Sequence, residues 1–564
     1  MDSVSKMNYK SYPFGLLLFF IVLYILPLGS RSLIVPDEAR YAEIPREMIA
    51  SSDWIVPRFN GLRYFEKPVL GYWIHACSML VFGENNFAVR LPSALSVGLS
   101  ALLIYILIHK VLRKRVREDK KESSIAVLIF FTCSEVFIVG NAAVLDNLFS
   151  FFLTATLVLF YSASEKPENS RQEKFLLALS GIACGLAFLT KGFLAFAIPV
   201  LVLVPYLIWQ RRYIDLFRMT PIPILTAIIT VLPWSILIHL KEPDFWHFFF
   251  WHEHIRRFMG NNAQHKAPFW YFFITAPGIA LPWIFLIPAS IIGLKKQINT
   301  LNDECGLLKL SICWLLFPFL FFSFSNGKLL TYILPCFPPF AILMAFGLTY
   351  IAKSGRQNFF LKWGTIGNCT LVALLLTAFI IIQIFGFKGI HPYTQPWQMV
   401  LVVNSLIFLI LFNYLSLQNQ ERAKKIFLYG LSPFLLFLGM NFLMPDLAME
   451  KKLPGILLSN YSKVVAGDKL IISDNNTAGA VCWYFKRNDV YILGTLGEFH
   501  YGLTYNDSKK KKINIKEAND LIKNNPGKIF LIGKTKKINR WRNQLPKPVF
   551  QDTSGHKGYL FWEY

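Results

Sequence analysis

Charged residues and cysteines are both scarce in this sequence, and each scarcity excludes a class of protein. Only 16% of the 564 residues are charged, whereas a soluble domain carries roughly 25%. Of the charged residues, the acidic ones are fewer, with 34 of them against 58 lysines and arginines. The eight cysteines are scattered and form no C-x-x-C pair, so the sequence predicts neither a disulfide framework nor a metal knuckle. A single soluble fold is not expected from this composition.

Long apolar runs are abundant instead. Hydrophobic residues make up 54% of the chain and include 52 phenylalanines. Runs of about 17 to 25 apolar residues can cross a hydrocarbon core. The pattern predicts about thirteen such spans, near residues 13–29, 87–109, 123–140, 147–162, 175–190, 193–209, 221–240, 269–293, 307–324, 334–352, 362–386, 397–416 and 426–444. The first run lacks a clear small-x-small cleavage site, so it is interpreted as a retained helix rather than a signal peptide.

Loops rich in lysine and arginine predict how these spans are oriented, because such loops remain in the cytoplasm. They begin at Lys110, Gln210, Leu294, Lys353 and Asn419, and with thirteen spans they all fall on one side. The N-terminus is then cytoplasmic, and the odd number of spans puts the C-terminal region on the outer side. This explains most of the net charge of +24, so nucleic acid is not an expected partner.

The composition changes near Pro445, which divides the chain into a membrane domain, residues 1–445, and a soluble α/β domain, residues 446–564. The segments KLIISD, GAVCWYF, DVYILG and KIFLIG are short and rich in β-branched and aromatic residues, which predicts strands. Ile513–Lys523 has helical spacing. A domain of roughly 120 residues is large enough to build its own core.

The first outer loop, residues 30–86, opens with the charged stretch VPDEARYAEIPREM. Its apolar residues recur at near-helical spacing, which predicts a helix in the membrane interface. Pro45 has no backbone N–H and disfavours a helical Ile44, so a break or kink is expected there. Most charges of the stretch are interpreted as scaffold, whereas Asp37 is interpreted as a working residue, with Tyr41 facing the same cavity.

Further polar residues of the outer side are interpreted by the ligands that their side chains prefer. In RYFEKP, a carboxylate suits a divalent cation and a lysine suits phosphate. In WHEHIRRF, histidines suit a metal and adjacent arginines suit phosphate. Polar residues amid apolar surroundings are functional hypotheses by default, although each can also be a loop charge or a turn marker. The residues concerned are Glu66, Lys67, Asp146, Lys191, His252, His254, Arg256, Arg257, Lys328 and Tyr332.

Three stretches carry a resemblance to a known family: DEARYAEIPREM, DWIVPRFNGLRYFEKPVLGYWI and FGENNFAVRLPSALS. They resemble the polyprenol-dependent glycosyltransferases of the GT-C class, and most closely the bacterial 4-amino-4-deoxy-L-arabinose lipid A transferases. The resemblance implies a polytopic α-helical inner-membrane protein with interfacial helices in the first periplasmic loop and a periplasmic C-terminal domain. It also implies a donor of undecaprenyl phosphate bearing aminoarabinose, and an acceptor phosphate on lipid A.

The resemblance further implies roles for individual residues. Asp37 and Asp146 match the acidic residues at the catalytic centre. Glu66 and His252 match positions associated with a divalent cation of unknown identity, although His254 competes with His252, and no organic cofactor is implied. The substrate-binding residues are expected to be Tyr41, Tyr64, Lys67, Lys191, Arg256, Arg257 and Tyr332.

Three other functions are alternatives. A polyprenol-dependent transferase of another sugar, or one with a protein acceptor, shares the opening motif. A lipid transporter predicts polar residues deep within spans and interrupted helices on both sides of the midplane. A structural or anchoring role does not explain why so many charged residues lie together on the outer side. The named polar residues gather at one face, which favours an active site there.

Overall fold

The computed structural model describes residues 11–113, 121–256, 265–300, 305–353, 358–387, 390–465 and 467–564. The described chain is helical up to Met440, apart from one short hairpin, and its last part forms a mixed sheet with helices. The basic loops that begin at Lys110 and Lys353 lie partly outside the described residues.

Nine helices of the described chain are long and apolar enough to cross a membrane, and the count reaches eleven if two bent pairs are each one span. The nine are Asn86–Leu112, Asp146–Ser164, Arg171–Lys191, Asp215–Lys241, Gly306–Phe324, Leu330–Ala352, Phe359–Phe385, Pro396–Gln418 and Ala423–Met440. The predicted runs near 13–29 and 193–209 lie on the shorter helices Pro13–Gly29 and Leu194–Trp209. All the predicted runs are therefore helical, but by length the count is nine to eleven rather than thirteen.

The two bent pairs contact each other at their breaks. Lys121–Thr132 meets Ser134–Gly140 at 65°, and Tyr271–Ile279 meets Trp283–Lys296 at 99°. The amide and the hydroxyl of Ser134 each donate a hydrogen bond of 3.1 Å to the carbonyl of Leu281. Backbone groups freed by a helix break need partners where water is scarce, and here one break supplies partners to the other.

The first loop contains the helix Asp37–Ser51, strands β1 (Arg58–Phe59) and β2 (Leu62–Arg63), and the apolar helix Leu70–Phe82. The strands form an antiparallel hairpin, and its turn residues Asn60 and Gly61 both have positive φ, as an Asn-Gly hairpin turn requires.

The expected break at Pro45 is wrong, because the helix continues through it to Ser51. A proline removes only one intrahelical hydrogen bond. Every residue from Glu38 to Met48 is buried, so packing on several sides keeps the helix continuous through the position where local preference favours a break.

The C-terminal part contains a six-stranded sheet with the order β5-β4-β3-β6-β8-β7. The strands are β3 (Leu470–Ser473), β4 (Tyr491–Leu493), β5 (Lys512–Ile513), β6 (Ile529–Lys534), β7 (Phe550–Thr553) and β8 (Tyr559–Glu563). Strands β3 to β6 are parallel to their neighbours within that group, whereas β8 runs antiparallel to β6 and β7. The helices are Asp446–Lys452, Gly455–Tyr461, Ala478–Phe485, Ile515–Asn524 and Thr535–Ile538.

One predicted strand of this part is wrong. GAVCWYF forms the helix Ala478–Phe485, not a strand. It connects the parallel strands β3 and β4, and parallel neighbours need a crossover connection. A Cβ on Gly479 would lie 2.5 Å from the ring of Phe59, so the glycine lets this helix approach the first loop.

The sheet part packs directly on the first loop. The side chain of Asn60 donates to the carbonyl of Val490 at 2.8 Å and accepts from its amide at 3.0 Å. The ring of Phe59 stacks on that of Phe499 with centroids 4.7 Å apart, and Lys511 donates to the carbonyl of Asn60 at 2.7 Å. The first loop and the sheet therefore share one interface.

Candidate active site

Asp37 is the first residue of its helix, and its side chain is 57% exposed. A carboxylate is stabilised at a helix N-terminus. One turn later, Arg40 donates to the Asp37 carboxylate at 2.5 Å. The same guanidinium also contacts the carboxylate of Glu498 from the sheet part. Arg40 therefore connects two carboxylates that come from opposite ends of the chain.

Glu38 anchors the beginning of this helix. Arg90 donates to both of its carboxylate oxygens at 2.8 Å, and Arg31 adds a bond of 2.7 Å. Burial alone would raise the pKa of Glu38, but the positive charges of Arg90 and Arg31 outweigh it and lower that pKa well below the usual range. An ionised, multiply bonded Glu38 fixes the backbone beside Asp37.

Three tyrosines lie near Arg40. The ring of Tyr41 stacks on that of Tyr72 at 6.3 Å, and the guanidinium of Arg40 lies 4.8 Å from the Tyr41 centroid. Burial raises the pKa values of Tyr41, Tyr64 and Tyr72, so all three phenols are neutral hydrogen-bonding groups.

Tyr41 also connects the two predicted catalytic carboxylates. After burial and the charge of Arg40, the charges of Asp146 and Asp37 are the next influences on its pKa, and both raise it. The two acidic residues, 109 positions apart in the sequence, therefore share the surroundings of one phenol.

Asp146 forms a second charged group with Lys191. The ammonium of Lys191 lies 2.6 Å from the Asp146 carboxylate, and each side chain is 13% exposed. Asp146 begins one helix and Lys191 ends another, which suits both charges. The Lys191 ammonium also lies 5.3 Å from the ring centroid of Tyr332. The structure thus brings together three residues that the sequence predicted separately.

The predicted phosphate and metal residues lie where the first loop meets the helix His247–Arg256. Lys67 lies 3.7 Å from Glu253 of that helix. The negative charge of Glu66 raises the pKa of Glu498, after burial and against Arg40, so Glu66 lies near the Arg40 group. The ring of His252 stacks on Phe248 with centroids 5.6 Å apart. Arg257 lies outside the described residues, and no side-chain position is described for His254 or Arg256.

A metal site is not complete in the described part of the chain. Among those residues, no group of three or more His, Cys, Asp or Glu side chains is placed to hold a metal ion. Glu66 and His252 alone do not make up a protein ligand set of the kind that structural or catalytic zinc sites have.

Two charged residues of this site were missed by the sequence analysis. Arg40 was interpreted as scaffold, although its spacing of three residues from Asp37 is a recognisable helical ion-pair signal. Glu498 lies in the turn Gly497–Phe499 after β4, and the stacking of Phe499 on Phe59 holds that turn against the first loop. Nothing local marks Glu498, because its partner Arg40 is 458 positions away.

Taken together, the site alternates cations and carboxylates at the edge of the apolar helices. Arg40, Lys67 and Lys191 offer cationic donors, which suit a phosphate. Asp37 and Asp146 remain available to orient a polyol or to stabilise positive charge. This arrangement can hold an anionic and a cationic part of the same substrate.

Two family models match the chain. The model described as "Dolichyl-phosphate-mannose-protein mannosyltransferase" matches residues 11–249. The model described as "Arabinosyl transferase ArnT, C-terminal domain" matches residues 449–561. The first match contains Asp37, Asp146 and Lys191, and the second contains Glu498.

Relatives match nearly the whole chain. A Shewanella sediminis protein named undecaprenyl phosphate-α-4-amino-4-deoxy-L-arabinose arabinosyl transferase is 41% identical over 499 residues, 88% of each chain. An Erwinia tasmaniensis protein of the same name is 36% identical over 567 residues, 99% of each chain. The crystal structure of ArnT from Cupriavidus metallidurans bound to undecaprenyl phosphate is similar with a TM-score of 0.81 at 20% identity, covering 99% of this chain and 98% of that one. This structural likeness shows a shared fold.

Proposed function

The chain belongs to the undecaprenyl phosphate-α-4-amino-4-deoxy-L-arabinose arabinosyl transferases, and we propose that it transfers 4-amino-4-deoxy-L-arabinose from undecaprenyl phosphate to a phosphate of lipid A. The observation that carries this proposal is the match to named transferases at 36% identity over 99% of both chains. The transfer masks a negative phosphate and gives resistance to polymyxin and other cationic antimicrobial peptides.

The proposed location is the inner membrane of a bacterium, with about thirteen spans, a cytoplasmic N-terminus and a periplasmic active site. The interface between the first loop and the sheet part supports one element of this topology. Asn60 of the loop and Val490 of the sheet part exchange two hydrogen bonds, so both parts lie on one side of the membrane. An odd number of spans between the N-terminus and the sheet part, with the N-terminus in the cytoplasm, makes that side the periplasm.

In the proposed reaction, the bond between the anomeric carbon and the undecaprenyl phosphate oxygen breaks, and a lipid A phosphate oxygen bonds to that carbon. Negative charge develops on the departing phosphate, and cations fixed beforehand near it lower the barrier. Arg40 and Lys67 are the described cations available for this role, whereas Lys191 is paired with Asp146. The sequence adds Arg256 and Arg257 to the proposal.

The carboxylates have a different role. A lipid A phosphate is already anionic near neutral pH, so its oxygen needs little general-base assistance. Asp37 and Asp146 are proposed to orient the acceptor and to stabilise the positive charge that develops on the sugar. This role agrees with their pairing to Arg40 and Lys191, at 2.5 and 2.6 Å, because a charge-assisted hydrogen bond fixes the position of each carboxyl group.

A divalent cation at Glu66 and His252 is a further proposal. The described residues offer these two side chains without the third His, Cys, Asp or Glu that a protein-built site needs. No step of the mechanism is therefore assigned to a metal.

Mass spectrometry of lipid A tests the proposed function. Lipid A from cells that contain this protein is expected to carry an aminopentose on phosphate, and lipid A from cells that lack it is not. Identical spectra would rule the function out. The match to mannosyltransferases over residues 11–249 favours one second candidate, transfer to a protein acceptor, which would leave lipid A unchanged and add a sugar to membrane or secreted proteins.

A further inference from the structure

Glu135 is a buried carboxylate that the mechanism above does not use. It lies in Ser134–Gly140, the second segment of a bent helix pair, and is 3% exposed. Its Oε1 atom is buried without a hydrogen-bond partner in the described part of the chain. An ionisable residue at this depth among apolar helices is costly to keep and marks a functional site by default.

The surroundings of Glu135 belong to the Asp146 group. Among the residues that the structure describes, Asp146 is the one charged neighbour with a marked electrostatic effect on Glu135, and that effect disfavours a negative charge on both. Asp146 already has its cation, Lys191, at 2.6 Å. The segment Leu330–Cys336, which carries Tyr332, packs against both Ser134–Gly140 and the Asp146 helix. This group thus contains two carboxyl groups and a single lysine.

We propose that Glu135, together with Asp146, binds the ammonium group of the 4-amino sugar. This inference rests on the proposed function and extends it to the recognition of the donor. An ammonium brings one positive charge and several N–H donors. It adds a second cation to the two carboxyl groups of the Glu135–Asp146–Lys191 group and supplies the donor that Glu135 Oε1 lacks. Asp146 then accepts hydrogen bonds from two cations, Lys191 and the substrate.

The position of this group also orients the sugar. On a pyranose ring, C4 lies opposite the anomeric C1. An amino group held at Glu135 therefore directs the anomeric carbon away from it. Tyr41, whose pKa responds to the charges of both Asp146 and Asp37, connects this group with the second charged group, which Arg40 and Asp37 form. The donor would span the two groups, with its ammonium at one and its phosphate at the other.

A comparison of two donors tests this inference on the purified full chain in detergent. One donor is undecaprenyl phosphate-aminoarabinose, and the other is its N-acylated form, which has the same ring without the charge. The wild type is expected to prefer the charged donor in kcat/KM by at least about tenfold. Glu135→Gln is expected to lower kcat/KM for the charged donor by about tenfold to hundredfold and to leave the uncharged donor within about twofold. Glu135→Asp, which keeps the charge, is expected to retain the preference.

Glu122→Gln is the matched control, because it removes a buried carboxylate from the first segment of the same bent pair. It is expected to keep the wild-type preference. Equal losses for both donors in Glu135→Gln, or no loss, would overturn the inference. So would a wild type that uses both donors equally, a result that needs no variant to fold.

The two proposals fail in different ways. If the wild type transfers aminoarabinose to lipid A without distinguishing the donors, the proposed function stands and the role of Glu135 is wrong. If the wild type transfers neither donor to lipid A, the proposed function itself is wrong, and the inference falls with it.

Discussion

The guanidinium of Arg40 contacts the carboxylate of Glu498, 458 positions later in the chain, while it also donates to Asp37 at 2.5 Å. The sheet part is therefore a direct neighbour of the proposed catalytic residue. A charged pair that is mostly buried fixes the orientation of its members, so the position of Asp37 depends on a residue of the sheet part.

We expect Glu498→Gln to lower the transfer rate by about tenfold to hundredfold, because small displacements of reacting groups have effects of that size. Asp489→Asn is the matched control. It removes an acid from the same part of the chain that pairs with Arg487 at a more exposed position. The measurement is lipid A modification by purified protein at equal concentration, and full activity of Glu498→Gln would contradict the expectation.

Asp37→Asn is expected to reduce transfer by at least about hundredfold, because electrostatic stabilisation at the reacting centre is worth several kcal/mol. Asp53→Asn, in the same loop but paired with Lys241 at 3.1 Å, should retain activity. Both variants are assayed at equal membrane abundance. Near-normal transfer by Asp37→Asn would show that this carboxylate has no part in the reaction.

Variants of the Asp146–Lys191 pair are expected to affect stability and activity differently. Lys191→Met leaves Asp146 without its cation and near Glu135, so we expect a loss of about 2–4 kcal/mol in the free energy of unfolding. The double variant Asp146→Asn with Lys191→Met removes both charges, and it should recover most of that stability but no activity. Thermal unfolding in detergent, alongside the transfer assay, checks both statements. Recovery of activity in the double variant would make the pair purely structural.

Composition and periodicity predicted where the apolar helices lie, but not how many of them are long enough to cross a membrane. Every predicted apolar run lies on a helix, because length and hydropathy alone determine whether a segment can cross a bilayer. What they could not predict was the geometry within a run. The breaks at Cys133 and near Pro282 depend on hydrogen bonds between two distant helices, such as those from Ser134 to Leu281, which no local pattern contains.

For the site, the sequence predicted several of the residues but not the contacts between them. Lys191 was recognisable as a lone charge among apolar residues, and so was its partner Asp146, but their pairing at 2.6 Å joins two helices. GAVCWYF was predicted as a strand from its β-branched and aromatic residues. It forms the helix Ala478–Phe485 instead, and this helix packs against the first loop. Tertiary contacts outweigh local propensity in such cases. Glu498 has no local signal at all.

His75 is expected to make the stability of the protein depend on pH. It lies in the apolar helix Leu70–Phe82 of the first loop and is 1% exposed. Its Nδ1 is 2.7 Å from the carbonyl of Gly71, and Nε2 has no partner among the described residues. Burial lowers the pKa of His75 to about 4, whereas an unfolded histidine has a pKa near 6.5. Above about pH 6.5 the imidazole is neutral in both the folded and the unfolded state, so folding releases no proton from His75.

As the pH falls from about 6.5 towards 4, the unfolded chain takes up a proton that folded His75 does not, so folding loses up to about 3 kcal/mol. His75→Asn retains a donor for the Gly71 carbonyl and cannot titrate. We therefore expect the wild type to lose more stability than this variant between pH 7.5 and 4.5, measured by thermal unfolding in detergent. Carboxylates that titrate in the same range act equally on both proteins, so only the difference between them reports on His75. If the two proteins show the same loss, His75 is charged in the folded state at acidic pH, and water must reach its Nε2.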